Sequence, residues 1–122
     1  MHQARYSSDM LHPSDATYAG LWQALVDSRV EFLLSGHSHD YERWVPQDAN
    51  GNAVANGVVQ FVVGTGGGSS RWLSATQPAN SVVRDVGTYG VLELTLRANA
   101  YDWEFLPVAG STFTDKGTAS CQ

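Results

Sequence analysis

Cysteine is almost absent from this chain. Cys121, beside the C-terminus, is its one thiol, so no intrachain disulfide framework is available and the redox compartment stays open. With no base near it in sequence, Cys121 reads as inert or as bonded to another segment, not as a nucleophile. Basic side chains are also scarce. Lys and Arg number 7 against 12 Asp and Glu, for a net charge of −5, and they never cluster into a stripe. That argues against a nucleic-acid partner and leaves a small anionic substrate in need of a local cation. No run of 18 apolar residues occurs, so no membrane span is expected, and no basic n-region with an apolar h-region opens the chain. What is present is a globular composition, 43% apolar and 11% aromatic with 16% charged. A length of 122 residues predicts one domain, able to bury about two-thirds of the surface its unfolded form exposes.

Along the chain, "MHQARYSSDMLHPS" (1–14) lacks periodicity and carries Pro13, which predicts a loop. Tyr18, Leu21, Trp22, Leu25 and Val26 then recur at helical spacing, predicting a helix over 16–28 capped by Ser14 or Asp15. "VEFLLS" is a short apolar run ended by Gly36, as expected of a strand buried on both faces. "GVVQFVVGTGGG" (57–68) repeats that pattern after the turn-forming "DANGNAVANG". "YGVLELTLRANAYDWEFLPV" alternates on either side of a turn near 98–100 and predicts an antiparallel hairpin. The stretch 69–87 reads as an irregular excursion and 109–122 as a polar tail. Neither a repeat nor a linker divides the chain, so 1–122 is expected to be a single unit: a helix covering a strand, with the hairpin extending the sheet.

The chemistry concentrates in "FLLSGHSHDYERW" (32–44), where His37 and His39 follow directly on an apolar strand. Strand ends of open α/β sheets border the crevice where ligands bind, and Gly36 would permit the sharp turn that aims both rings there. Neutral imidazole suits Zn, Fe, Mn or Ni, but two nitrogens are not a shell, because catalytic zinc takes three protein ligands. The plain alternative is two polar surface residues in a turn. Asp40, Glu42 and Arg43 either hydrogen-bond the imidazoles or are simply solvated, and the tryptophans, Trp22 first, are expected to pack. "VVGTGGGSSR" invites a phosphate cradle but has no Gly-Lys-Ser/Thr ending and no helix pattern after it.

"GHSHDYER" resembles the C-terminal signature of the calcineurin-like metallophosphoesterases, and its "DYER" is similar to the purple acid phosphatase branch. "HQARYSS" (2–8) resembles a second family motif, His-x-Pro-Arg-Tyr-Ser-Ser, with Ala4 where proline is usual. The resemblance implies an α/β fold: the C-terminal half of an αββα sandwich with one main helix, two buried strands and a C-terminal hairpin. It implies two divalent or mixed-valence metal ions (Fe, Zn or Mn), with His2 and His37 on one and His39 on the other, and His12 touching the substrate phosphate. Arg5 and Tyr6 would line the same cleft or support its loop, and the "GTGG" glycines would turn the chain beside the site. The implied reaction is hydrolysis of a phosphate mono- or diester, in a parent that is bacterial and exported. Three family motifs are missing: no Asp-x-His or Gly-Asp occurs, and Gly51-Asn52 is followed by Ala53. The chain therefore matches the C-terminal portion alone, and an N-terminal segment or self-association is expected to complete the sheet. The rival expectation is a non-catalytic metal-binding or interaction domain.

Overall fold

A computed structural model describes residues 1–69 and 72–122. The expected helix forms, in two parts. Asp15 caps a 3-10 turn, Ala16–Tyr18, through its carboxylate on the Thr17 amide, and α1 (Ala19–Asp27) continues it. Arg29, at φ 53°, then takes the left-handed conformation that ends a helix and turns the chain into the next strand. Of the predicted apolar stripe only Trp22 is fully buried, and Leu21 is 44% exposed. No helix among the described residues is long and apolar enough to cross a membrane.

Among the described residues seven strands form two sheets. The first, in the order β1-β3-β2-β4, joins β1 (Phe32–Ser35), β2 (Tyr41–Trp44), β3 (Val59–Val63) and β4 (Ser81–Asp85). Within it β1 runs parallel to β3, and β2 runs antiparallel to both β3 and β4. The second sheet orders β5 (Gly90–Leu96), β6 (Ala100–Pro107) and β7 (Lys116–Ser120) as an antiparallel meander.

Several expectations need correcting. The hairpin forms as predicted, but it builds a second sheet that faces the first instead of extending it. The "polar tail" supplies β7: "KGTAS" has little to bury and pairs through backbone, with Gly117 flat against the Trp103 indole, where a Cβ would lie 2.4 Å from the ring. The "irregular excursion" supplies β4, and the charged "YERW" is an interior strand. β1 is not buried on both faces. It is an edge strand, and Leu34 is 39% exposed.

The two sheets meet on one aromatic core of Tyr41, Phe61 and Phe105, ringed by Phe32, Val59, Val63, Leu92, Trp103 and Phe113. Burying a side chain such as Phe105 contributes about 1.5–3 kcal/mol. Across the same interface Asp115 accepts from the Tyr41 hydroxyl (2.7 Å) and from Arg43 Nε and Nη2 (2.7 and 3.1 Å), while the Arg43 guanidinium lies 5.0 Å from the Trp103 ring centroid. Period-2 alternation sends the neighbouring residues of β2 and β3, Glu42 and Gln60, to the opposite face. Both are fully buried polar side chains, and that face carries the site.

Candidate metal and phosphate site

The site is assembled from two crossing segments, the turn after β1 and the N-terminal loop. The loop is held to the sheet by side chains. Gln60 accepts from the Arg5 and Tyr6 amides (3.1 Å each) and donates to the Tyr6 carbonyl (2.5 Å), which secures both polar groups of an irregular backbone. Glu42 accepts from the Ser8 amide (2.9 Å) and the Ser81 hydroxyl (2.6 Å). Below the loop, Tyr6 packs edge-on against Trp22 and tilted against Trp44, at centroid distances of 5.0 and 5.6 Å. Arg5 lies over the Tyr6 ring and donates to the Asp15 carbonyl. Arg5 and Tyr6 thus support the loop.

The turn after β1 departs from expectation at one residue. Gly36 does not take the left-handed conformation; His37 does, at φ 64°. A Cβ on Gly36 would meet nothing closer than 3.9 Å, so glycine is not sterically demanded there. A left-handed non-glycine costs about 1–3 kcal/mol and persists where its surroundings over-determine it. Here the Gly36 amide is bound to the His2 carbonyl (2.9 Å) and the Ser38 amide to the Gly36 carbonyl (2.7 Å). The glycines that matter sterically belong to the loop after β3. A Cβ at Gly64 would sit 1.8 Å from the Ser38 carbonyl oxygen, and one at Gly68 would sit 2.4 Å from the His39 ring. The glycine-rich segment packs under the histidine turn; its last two residues, Ser70 and Arg71, lie outside the described residues.

Three of the four histidines meet. His2 Nε2 and His37 Nδ1 stand 3.0 Å apart with their rings edge-to-face, and the His12 ring centroid lies 4.1 Å from that of His37. His39 is instead placed against the glycine loop, with Nδ1 2.9 Å from the Ser69 carbonyl. His12 and His37 border a cleft of about 270 Å³ with Gln3, Ser14 and Ser38. A cleft of about 310 Å³ on the outer face of the second sheet is lined by Glu93, Asp102 and Glu104 against Lys116, charges that would repel a phosphate.

Two imidazole nitrogens each about 2.0–2.1 Å from one ion would be separated by about 2.8–3.0 Å at a right angle, as in an octahedral shell, and by about 3.3–3.4 Å at the tetrahedral angle of zinc. At 3.0 Å the His2–His37 pair fits the right-angle span and falls short of the tetrahedral one. A full shell is another matter: among the described residues no three His, Cys, Asp or Glu side chains converge as a set that could hold an ion. The pair fits part of a metal centre and the described residues do not complete it.

The charged residues after the histidines are not a solvated fringe. Asp40 and Glu42 are 1% and 0% exposed. Glu42 secures the loop that carries His2 and His12, and Arg43 turns to Asp115 in the other sheet, so neither bonds an imidazole. Sequence reading passed over Gln60 and Asp9. Gln60 had a signal, as the one polar residue inside "VVQFVV"; Asp9, in an aperiodic loop, had none. Asp9 is 1% exposed, and its carboxylate lies 3.0 Å from His12 Nδ1 while accepting from the Leu11 amide (2.8 Å). Burial pushes the Asp9 carboxyl up, but the bonds from Leu11, His12 and Ser38 and the charge on His12 outweigh it, leaving Asp9 below the usual carboxylate range.

No protein-family profile matches the chain. An Arabidopsis thaliana protein described as a probable inactive purple acid phosphatase 1 is 32% identical over 108 residues, a match covering 74% of this chain and 17% of that protein. Among solved structures, the purple acid phosphatase PPD1 from yellow lupin (Lupinus luteus) seeds superposes with a TM-score of 0.81 at 24% identity, over 98% of this chain and 24% of that one. GAP50, described as the anchor in the inner membrane complex of Plasmodium, gives 0.78 at 20% identity, over 99% and 35%. The chain thus spans a small part of each of these proteins. In sequence and in fold it is similar to the C-terminal portion of the purple acid phosphatase-like branch of the calcineurin-like metallophosphoesterases.

Proposed function

We propose that this chain is the C-terminal portion of one metallophosphoesterase domain and supplies imidazole ligands to the metal centre of a phosphoester hydrolase. His2 and His37 would hold one ion, His39 a second, and His12 would contact the phosphate of a mono- or diester. The observation that carries this is the 3.0 Å approach of His2 Nε2 to His37 Nδ1, the span of two ligands on one ion. When bound, a pair of Fe, Zn or Mn ions would polarise phosphoryl oxygens and supply a hydroxide nucleophile. The chain's own residues position the donors: Gln60 and Glu42 fix the loop bearing His2 and His12, and the glycine loop fixes the turn bearing His37 and His39. The bridging carboxylates would come from a segment carrying the Asp, Gly-Asp and Gly-Asn-His motifs, docked along the β1 edge where the Met1 ammonium now bonds the Leu34 carbonyl, or from a second copy. Neither nucleic acid nor a membrane is part of this proposal.

A second reading, a non-catalytic metal-binding or interaction domain, is favoured by one observation, the incomplete ligand set among the described residues. The similar Arabidopsis protein is itself described as probably inactive. Elemental analysis and p-nitrophenyl phosphate turnover, on the chain and on His37→Ala, separate the two. Two metals per functional unit, with turnover lost in the variant, support the hydrolase centre. One bound metal without turnover supports the second reading, and no bound metal, on the chain alone or joined to a segment carrying the missing motifs, refutes the ligand roles.

A further inference from the structure

We infer that Asp9 is the positioning residue for His12: it holds the imidazole in the Nδ1–H tautomer, so that Nε2 faces the cleft as a hydrogen-bond acceptor. The catalytic value of this rests on the phosphate-contacting role proposed for His12 above; the tautomer itself does not. A carboxylate only accepts, so the 3.0 Å contact between Asp9 Oδ2 and His12 Nδ1 requires the proton on Nδ1. In the neutral ring that leaves the lone pair on Nε2, on the side of the ring away from Asp9.

Asp9 is built to hold this geometry. Its other oxygen accepts from the Leu11 amide (2.8 Å), its own amide donates to Ser7 Oγ (3.0 Å), and the preceding Ser8 amide is bound to the buried Glu42 (2.9 Å). The Ser7 hydroxyl in turn lies 3.3 Å from that of Ser38, the residue between the two histidines of the turn. A buried carboxylate fixed at both ends of its side chain and backbone cannot follow a wandering ring, so the ring adapts to it. Such carboxylate–imidazole pairs fix both tautomer and ring plane. An Nε2 acceptor suits a protonated phosphate oxygen or a water hydrogen, and disfavours a fully ionised phosphate on that nitrogen.

Long-range nitrogen–proton NMR of the His12 ring in the wild-type 122-residue chain, at a pH where the ring is neutral, reads the tautomer directly. The Nδ1–H form is expected, and finding Nε2–H there would overturn the inference without need of a variant. In Asp9→Ala, checked for fold by its amide spectrum, the Nδ1–H form should be lost; an unchanged tautomer would also overturn it. Titration with inorganic phosphate is the separate arm. A shift at His12 Nε2 in the wild type, lost in Asp9→Ala, supports the positioning role. A wild-type Nδ1–H ring that phosphate leaves unmoved supports the tautomer assignment and refutes the phosphate contact proposed for His12.

Discussion

Replacing Asp115 by alanine tests what joins the two sheets. The carboxylate is 7% exposed and accepts three bonds, one from Tyr41 and two from Arg43, whose side chain is 21% exposed. Removing one member of a buried ion pair costs about 3–5 kcal/mol, because the remaining charge stays desolvated. Water reaches part of Arg43, which lowers that cost, while the Tyr41 hydroxyl loses its acceptor, which adds about 1 kcal/mol. The expected loss is about 3 kcal/mol, or about 10–15 °C in Tm for a chain of this size. Urea unfolding followed by tryptophan fluorescence measures it, Trp103 lying against the Arg43 guanidinium. The sign of a second comparison is equally specific. Arg43→Met combined with Asp115→Leu leaves no unpaired charge and should cost less than Asp115→Ala alone. A loss under about 1 kcal/mol for Asp115→Ala, or a double variant weaker than the single one, would refute the view of a desolvated pair whose members need each other.

Gln60→Leu keeps the volume but strips the Arg5 and Tyr6 amides of their acceptor, and should lower stability by about 2 kcal/mol in the same assay. Gly64→Ala should cost more, about 3 kcal/mol or failure to fold, since its Cβ would overlap the Ser38 carbonyl and the backbone there must move; a silent substitution would show that the two turns are not in contact. The acid limb of stability should also change in Asp115→Asn. Burial pushes the Asp115 carboxyl up, but the bonds from Arg43 and Tyr41 and the Arg43 charge outweigh it, so its folded pKa lies below the unfolded value. A depressed carboxylate pKa contributes stability that is present above about pH 4 and lost as pH falls through the folded pKa. The wild-type advantage over Asp115→Asn, read from denaturant unfolding at each pH, should therefore shrink on acidification from about pH 5; an advantage constant down to about pH 2 would contradict this.

How much of this was legible in the sequence depended on whether a segment is built by side-chain burial. The helix stripe, the apolar runs of β1 and β3, and the hairpin each announce a face, and the histidine turn announces itself by residue type. β7 does not, because "KGTAS" pairs by backbone and offers Gly117 to an indole. β2 was disguised for the opposite reason. Its Tyr41 and Arg43 meet Asp115 across the core and its Glu42 caps a loop amide, so polar residues occupy an interior strand by being fully paired. The sharp turn was credited to Gly36, since glycine takes unusual backbone conformations at no steric cost, yet the left-handed residue there is His37. The Asp9–His12 contact had no pattern to betray it, being a tertiary arrangement inside an aperiodic loop.

The mode of attachment of residues 5–8 bears on how the site breathes. Strands hold one another through ladders that open only together, whereas this stretch is tied by separate bonds: Gln60 and Glu42 from the sheet, Ser38 at the Ser7 hydroxyl, and the Ser74 amide on the Ser8 carbonyl. Releasing separate anchors one by one costs less than melting β2 or β3 as a unit, so the loop opens before the sheet does. His12 travels with that loop, whereas His2 is tied to the turn that carries His37 by its carbonyl on the Gly36 amide, so an opening would part His12 from the His2–His37 pair. The cleft that His12 and His37 border would widen with each such opening, while the His2–His37 contact stays closed.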